Sequence, residues 1–323
     1  MSVYLRDKNN IKCVAMSLVY GTIPVLIIGF SQLIFGFNES LRVFGSFIVW
    51  HLFDNGEFTG VFYNRNICAA WLAASFPFFV AAIRAETHSN ENTSKSFVAS
   101  LALFSVSLAM ILSNSRNAIG SLIFGTLGMI ADIFSVNQSI SGFKFSRSSV
   151  TLFVIAVVSS FGIYLGLVHP ALDALGQFFT DEYRLEIWRF GVLVASKNFL
   201  VGSGPGGFIG YVSLLSPFDK PFYHVHSLPL DLWLSYGFVA LAVFLVYVFV
   251  WLFIAIRSGM LQESLFSKAW VISFLLLIIV HVTDLPYLDA RINLVGWILF
   301  AGIVSCAESS ALASAESSND AFD

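Results

Sequence analysis

Residues 202–208 read GSGPGGF. Gly202, Gly204 and Gly207 satisfy G-x-G-x-x-G, the glycine pattern with which a strand–turn–helix unit cradles a dinucleotide. That reading requires a strand before the glycines and a soluble helix after them, and the flanks supply neither. The preceding stretch, residues 181–200, reads DEYRLEIWRFGVLVASKNFL, in which Leu185, Trp188, Val192, Ala195 and Phe199 recur at helical spacing. Downstream, residues 228–256 read LPLDLWLSYGFVALAVFLVYVFVWLFIAI, where Asp231 is the only charged residue. About 20 apolar residues suffice to cross a bilayer. The glycines therefore join a helix to a membrane span, and the chain is an all-α membrane protein.

Composition agrees. Of the 323 residues, 57% are apolar and 11% charged, and 34 are Phe, whereas a soluble domain has about 25% charged residues. Mean hydropathy is +0.80. A net charge of −3 gives no footing for a nucleic-acid partner. Cys13, Cys68 and Cys306 are far apart and form no C-x-x-C pair, so they read as packing residues. The first apolar run is too long for a signal-peptide core and reads as a retained span.

Spans are expected at about 13–36, 67–84, 97–113, 118–135, 149–168, 228–256, 268–283 and 293–306, a bundle of about eight. Residues 1–306 then form one transmembrane domain, and 307–323 a disordered cytoplasmic tail. Nine Lys and Arg (Arg6, Lys8, Lys12, Arg84, Lys95, Lys144, Arg147, Arg257, Lys268) fall on one side of the bundle. Arg42, Arg65, Arg116 and Arg291 fall on the other. By the positive-inside rule both termini are cytoplasmic. The long connection 169–226 is then one large helical extracytoplasmic loop. Its 181–200 segment, which Thr180 or Asp181 is placed to cap, reads as a helix on the membrane surface or capping the bundle. The glycines after it admit two readings: a helix stop, with Gly202 as C-cap and Pro205 preventing continuation, or backbone that lies close to a ligand or offers N–H groups to an anion.

Ionisable residues near spans are candidate functional groups by default. Arg116, Arg184, His224, His226, Asp231, Asp284 and Arg291 all gather on the outer side. Arg184 and Trp188 share a helix face and suit a cation–π pair. Asn66 suits a helix cap, Ser227 followed by Pro229 suits a helix start, and Asp284 and Arg291 suit an ion pair. His224 and His226 have a spacing that metal ligands use, with no third ligand nearby in sequence. Arginine forks onto phosphate oxygens, and histidine takes a proton near neutral pH. The set suits a diphosphate leaving group and a hydroxyl nucleophile.

The same residues carry a family resemblance. GVFYNRNICAAW, with Asn64 and Asn66, SNSRNAIGSLIFG, with Arg116, RLEIWRFGVLVASKNFLVGSGPGGF and HVHSLPLDLWLSYGFVAL, with His226 and Gly237, resemble in order four blocks of the O-antigen ligase and polymerase superfamily. Arg65 stands where proline is frequent, and Asn117 and Ser227 replace a glycine and an asparagine. The resemblance implies a multispanning glycosyltransferase of the bacterial inner membrane. It would take a glycan from an undecaprenyl diphosphate carrier and transfer it to lipid A–core, another glycan or a protein, without metal or cofactor. Carried over by position, Arg116 and Arg184 would hold the diphosphate and His226 would be the general base. His224, Asn64, Asn66, Trp188, Gly204, Gly206, Tyr211 and Arg291 would line the substrate site. The family has more spans before the asparagine block than the single one read here. A shortened inactive member and a transporter of a small anionic solute are the alternatives.

Overall fold

The computed structural model describes residues 5, 7–36, 41–43, 48–50, 57–88, 93–130, 182–215 and 223–319. The expected span 149–168 and the caps at Thr180 or Asp181 lie outside the described residues. Helices dominate: α1 (Lys8–Phe35), α2 (Arg65–His88), α3 (Thr93–Leu112), α4 (Arg116–Ile130), α5 (Glu182–Lys197), α6 (Gly207–Leu215), α7 (Leu228–Arg257), α8 (Met260–Glu263), α9 (Leu265–Thr283) and α10 (Ala290–Asn319). A one-turn 3-10 helix, Pro286–Leu288, joins α9 to α10. A small antiparallel ladder, β1 (Leu41–Val43) with β2 (Ile48–Trp50), follows α1.

Among the described residues, five helices are long and apolar enough to cross a membrane: α1, α2, α3, α7 and α9. The chain is a multi-pass membrane protein on that evidence. The expected span at 118–135 begins as α4, whose described part ends at Ile130. The expected span at 293–306 is the apolar part of α10, Ala290–Ser305. Where a disordered tail is expected from residue 307, the chain instead continues as helix to Asn319. The stretch AESSALASAESSN holds no Gly or Pro, and alanine has the highest helix propensity.

Two cores organise the fold. The larger lies in the bundle, with α2 and α9 at its centre and α1, α3, α4 and α10 around them. Small residues permit close approach there. Trp270 on α9 lies across Gly302 of α10 and donates its indole N–H to Leu299 O at 2.7 Å. The smaller core joins Ile187, Phe190, Val194 and Ala195 of α5 to Phe208 and Val212 of α6, to Val225 and Leu234, and to Leu285. This second core caps one end of the bundle, at the turn after α9 and the start of α7.

Candidate functional site

Of the five residues of the periodic stripe, Ala195 is buried and Trp188 half-buried against the second core, while Leu185, Val192 and Phe199 are exposed. The face buried in that core is Ile187, Phe190, Val194 and Ala195. The two sets share Ala195, and periodicity alone does not choose between them. The buried stripe contains Gly191, whose missing side chain admits Val225 and Leu230.

The glycine turn serves a break in α7. Gly237 interrupts that helix with φ 87° and ψ 168°, a conformation open essentially to glycine alone. Breaking a helix strands backbone groups, which apolar surroundings do not tolerate. Here the turn satisfies them. Ser203 N–H donates to Leu234 O at 2.7 Å, Gly204 N–H to Ser235 O at 3.0 Å, and Phe238 N–H to Phe199 O at 2.8 Å. Gly202, at φ 71°, passes so close that a Cβ would lie 2.6 Å from Gly237 N. Its own N–H still bonds Asn198 O, ending α5 as a C-cap does. Gly204 thus spends its amide on the helix. Gly206 borders open space, and Tyr211 accepts from Asn198 Nδ2 at 3.3 Å.

The other end of α5 reaches the C-terminus of α9. Arg184 and Trp188 each span a gap to another element. Arg184 donates to Thr283 O at 3.0 Å, where unsatisfied carbonyls and the helix dipole favour a cation. Trp188 donates to His226 O at 3.4 Å. The next residue of α9's terminus, Asp284, accepts from His226 Nδ1 at 2.9 Å through Oδ1. His226 has φ 50°, a left-handed conformation uncommon outside glycine and often found at functional sites. Thr283 Oγ1 donates to Asn117 Oδ1 at 2.7 Å, which brings the start of α4, with Arg116, to the same helix end.

Asp284 is buried. Burial raises its pKa, but the hydrogen bond and charge of His226, the Leu285 N–H and the Arg184 guanidinium outweigh it and hold the carboxyl below its ordinary value. Its Oδ2 is buried without a hydrogen-bond partner among the described residues. His224 lies with its ring 4.3 Å from that of His226. Burial, then the charge of His226, lowers its pKa, with Asp284 opposing. Among the described residues no group of three His, Cys, Asp or Glu is arranged to hold a metal. A second link lies beside the first: Tyr287 OH donates to Asp231 Oδ2 at 2.6 Å.

The asparagine block occupies the same end. Asn64, rather than Asn66, caps α2, accepting from Asn66 N–H at 2.7 Å. The Asn66 side chain instead accepts from Ser115 Oγ at 2.9 Å, next to Arg116. Arg65 pairs with Glu57. Arg291 does not pair with Asp284. It forks onto Asp289 at 2.9 and 2.6 Å, donates to Val61 O at 3.1 Å and lies over the Phe62 ring. It anchors the loop before α2 to the start of α10.

No short motif links Asp284 to His226 or Asp231 to Tyr287, which lie 58 and 56 residues apart. The available signal was carboxylates placed at span ends, where charge is costly.

Residues 101–245, somewhat under half of the chain, match the sequence model of the family described as O-antigen ligase. The matched stretch holds Arg116, Arg184, the glycine turn and His226. It supports placement with the O-antigen ligase and polymerase superfamily. No curated protein matches the chain.

Proposed function

We propose that the chain transfers a glycan from an undecaprenyl diphosphate carrier to an acceptor hydroxyl at the extracytoplasmic face of the bacterial inner membrane. The acceptor is lipid A–core, another glycan or a protein, and both termini are cytoplasmic. The observation that carries the proposal is the 2.9 Å contact between His226 Nδ1 and Asp284 Oδ1, on the helix end that Arg184 also reaches. The family match over residues 101–245 supports glycan transfer of this class.

In this reading Nδ1 carries the imidazole proton and donates it to the anionic Asp284. That fixes the tautomer and leaves the Nε2 lone pair to face the acceptor. The acceptor oxygen attacks the anomeric carbon of the donor glycan while Nε2 takes its proton. The bond from that carbon to the diphosphate oxygen breaks, and the electron pair leaves with the undecaprenyl diphosphate. Arg184 and Arg116 hold the diphosphate oxygens and stabilise the charge that develops there, in a metal-independent reaction. Asp284 balances the imidazolium that forms. His224, Trp188, Asn64, Asn66, Gly204, Gly206, Tyr211 and Arg291 complete the substrate site or its frame.

Complementation of a deletion strain tests the proposal. Arg116→Ala, Arg184→Ala and His226→Ala are each expected to abolish surface glycan attachment while the protein still inserts. Full activity in all three would sink the mechanism.

A further inference from the structure

We infer that the turn Phe199–Gly204 is immersed in the bilayer, its apolar tip packing against lipid acyl chains. This inference stands apart from the catalytic proposal.

Three backbone hydrogen bonds fix the turn beside residues 234–238 of α7. The depth of that level follows from helix geometry. A hydrocarbon layer of about 30 Å takes about 20 residues. Counted back from Arg257, the charged end of α7, about 20 residues reach Gly237 and so place the turn at the edge of the hydrocarbon. A second reference is α9, whose 19 residues just fill such a layer and end at Thr283. His226 is bonded to the next residue, Asp284, so α7 starts at that edge. Gly237 then lies up to about 14 Å further along the helix, at 1.5 Å per residue. The two references place the turn between the hydrocarbon edge and well inside it. Neither leaves it in water.

The side chains fit that position. Phe199, Leu200 and Val201 are 44%, 60% and 78% exposed, a run no soluble loop would present unpartnered. They continue the exposed apolar outer face of α7 from Phe238 onward; the exposed side of α5 is mixed, with Glu186 and Arg189 among Leu185, Val192 and Leu193. Phe199, Trp233 and Phe238 pack together, with Phe199 stacked on Phe238 at 5.0 Å, as aromatic residues do at a membrane boundary. Polar groups at the turn are hydrogen-bonded within the protein: Asn198 Nδ2 donates to Ser203 Oγ, and Trp233 Nε1 donates to Phe199 O. The α5 helix is thereby tethered at both ends, by Arg184 at α9 and by this wedge in the lipid.

The test is site-directed spin labelling of the full chain reconstituted in phosphatidylcholine–phosphatidylglycerol vesicles. Val201→Cys is labelled in a background of Cys13→Ser, Cys68→Ala and Cys306→Ser. Val246→Cys, on the exposed face of α7, serves as the lipid reference, and Lys95→Cys as the water reference. The ratio of oxygen to nickel-chelate collision rates at Val201 is expected to exceed that at Lys95 severalfold and to approach that at Val246. A ratio like that at Lys95 would overturn the inference, and so would a label shielded from both reagents. If Val201→Cys fails to reconstitute, Leu200→Cys serves as the probe with the same criteria.

Discussion

The glycine turn and the broken helix make a graded prediction about four glycines. Gly237→Ala places a methyl group on Leu200 O and forces a non-glycine residue into φ 87°, ψ 168°. The backbone penalty is about 1–3 kcal/mol. Displacing the turn also loses three backbone hydrogen bonds, each worth about 1 kcal/mol net. The sum is about 4–6 kcal/mol, a large part of the 5–15 kcal/mol that typically holds a domain folded. Gly202→Ala meets the same wall from the other side, 2.6 Å from Gly237 N and Ser235 O. Gly204 and Gly206 also have positive φ, but nothing lies within 4 Å of a Cβ at either. Alanine there costs only the left-handed backbone, about 1–2 kcal/mol. Thermal unfolding in detergent, followed by far-UV circular dichroism, measures the four. The Gly237 and Gly202 variants should lose most of their thermal stability, and the Gly204 and Gly206 variants little. Equal losses across all four would refute the docking of turn on helix break as the reason for these glycines.

Two further predictions concern the carboxylates. The Asp284 carboxyl is held below its ordinary value, so its stabilising contribution is present above the unfolded carboxylate range near pH 4 and is lost as pH falls through the lower folded value. The difference in melting temperature between wild type and Asp284→Asn should narrow as pH falls from about 5 to below about 4; a gap that widens over that interval would contradict the assignment. Tyr287→Phe removes the donor to Asp231, at a cost of about 1–3 kcal/mol. Combined with Asp231→Asn, the losses should be less than additive in the same unfolding assay, whereas full additivity would show that the two side chains act separately.

What could be read from the chain depended on how locally each feature is determined. The α2 and α9 spans follow from continuous apolar runs, because a bilayer-wide helix satisfies its backbone within itself. Arg116, Arg184 and His226 were legible as types and positions, since an arginine or histidine beside a span is costly without a task. Their partners were not. The bond from His226 to Asp284 joins residues 58 apart, and that from Thr283 to Asn117 joins residues 166 apart. No short motif encodes such distances. The same holds for the glycines: their spacing invites a phosphate loop, while their reason, the stranded carbonyls of Leu234 and Ser235, lies beyond the motif on another helix. Which side of α5 is buried is not legible from spacing, because the residues at helical spacing divide between the second core (Trp188, Ala195) and the outside (Leu185, Val192).

The central claim is that His226, oriented by Asp284, takes the proton of the acceptor hydroxyl. Its most direct test is single-turnover transfer by the purified, reconstituted protein, using an undecaprenyl diphosphate-linked glycan and saturating acceptor, in wild type, His226→Gln and Asp284→Asn. Removing a general base costs about 10²–10⁴ in rate. His226→Gln should lose at least about 10²-fold while still binding donor, and Asp284→Asn should fall between it and wild type. Transfer by His226→Gln at the wild-type rate would contradict the account.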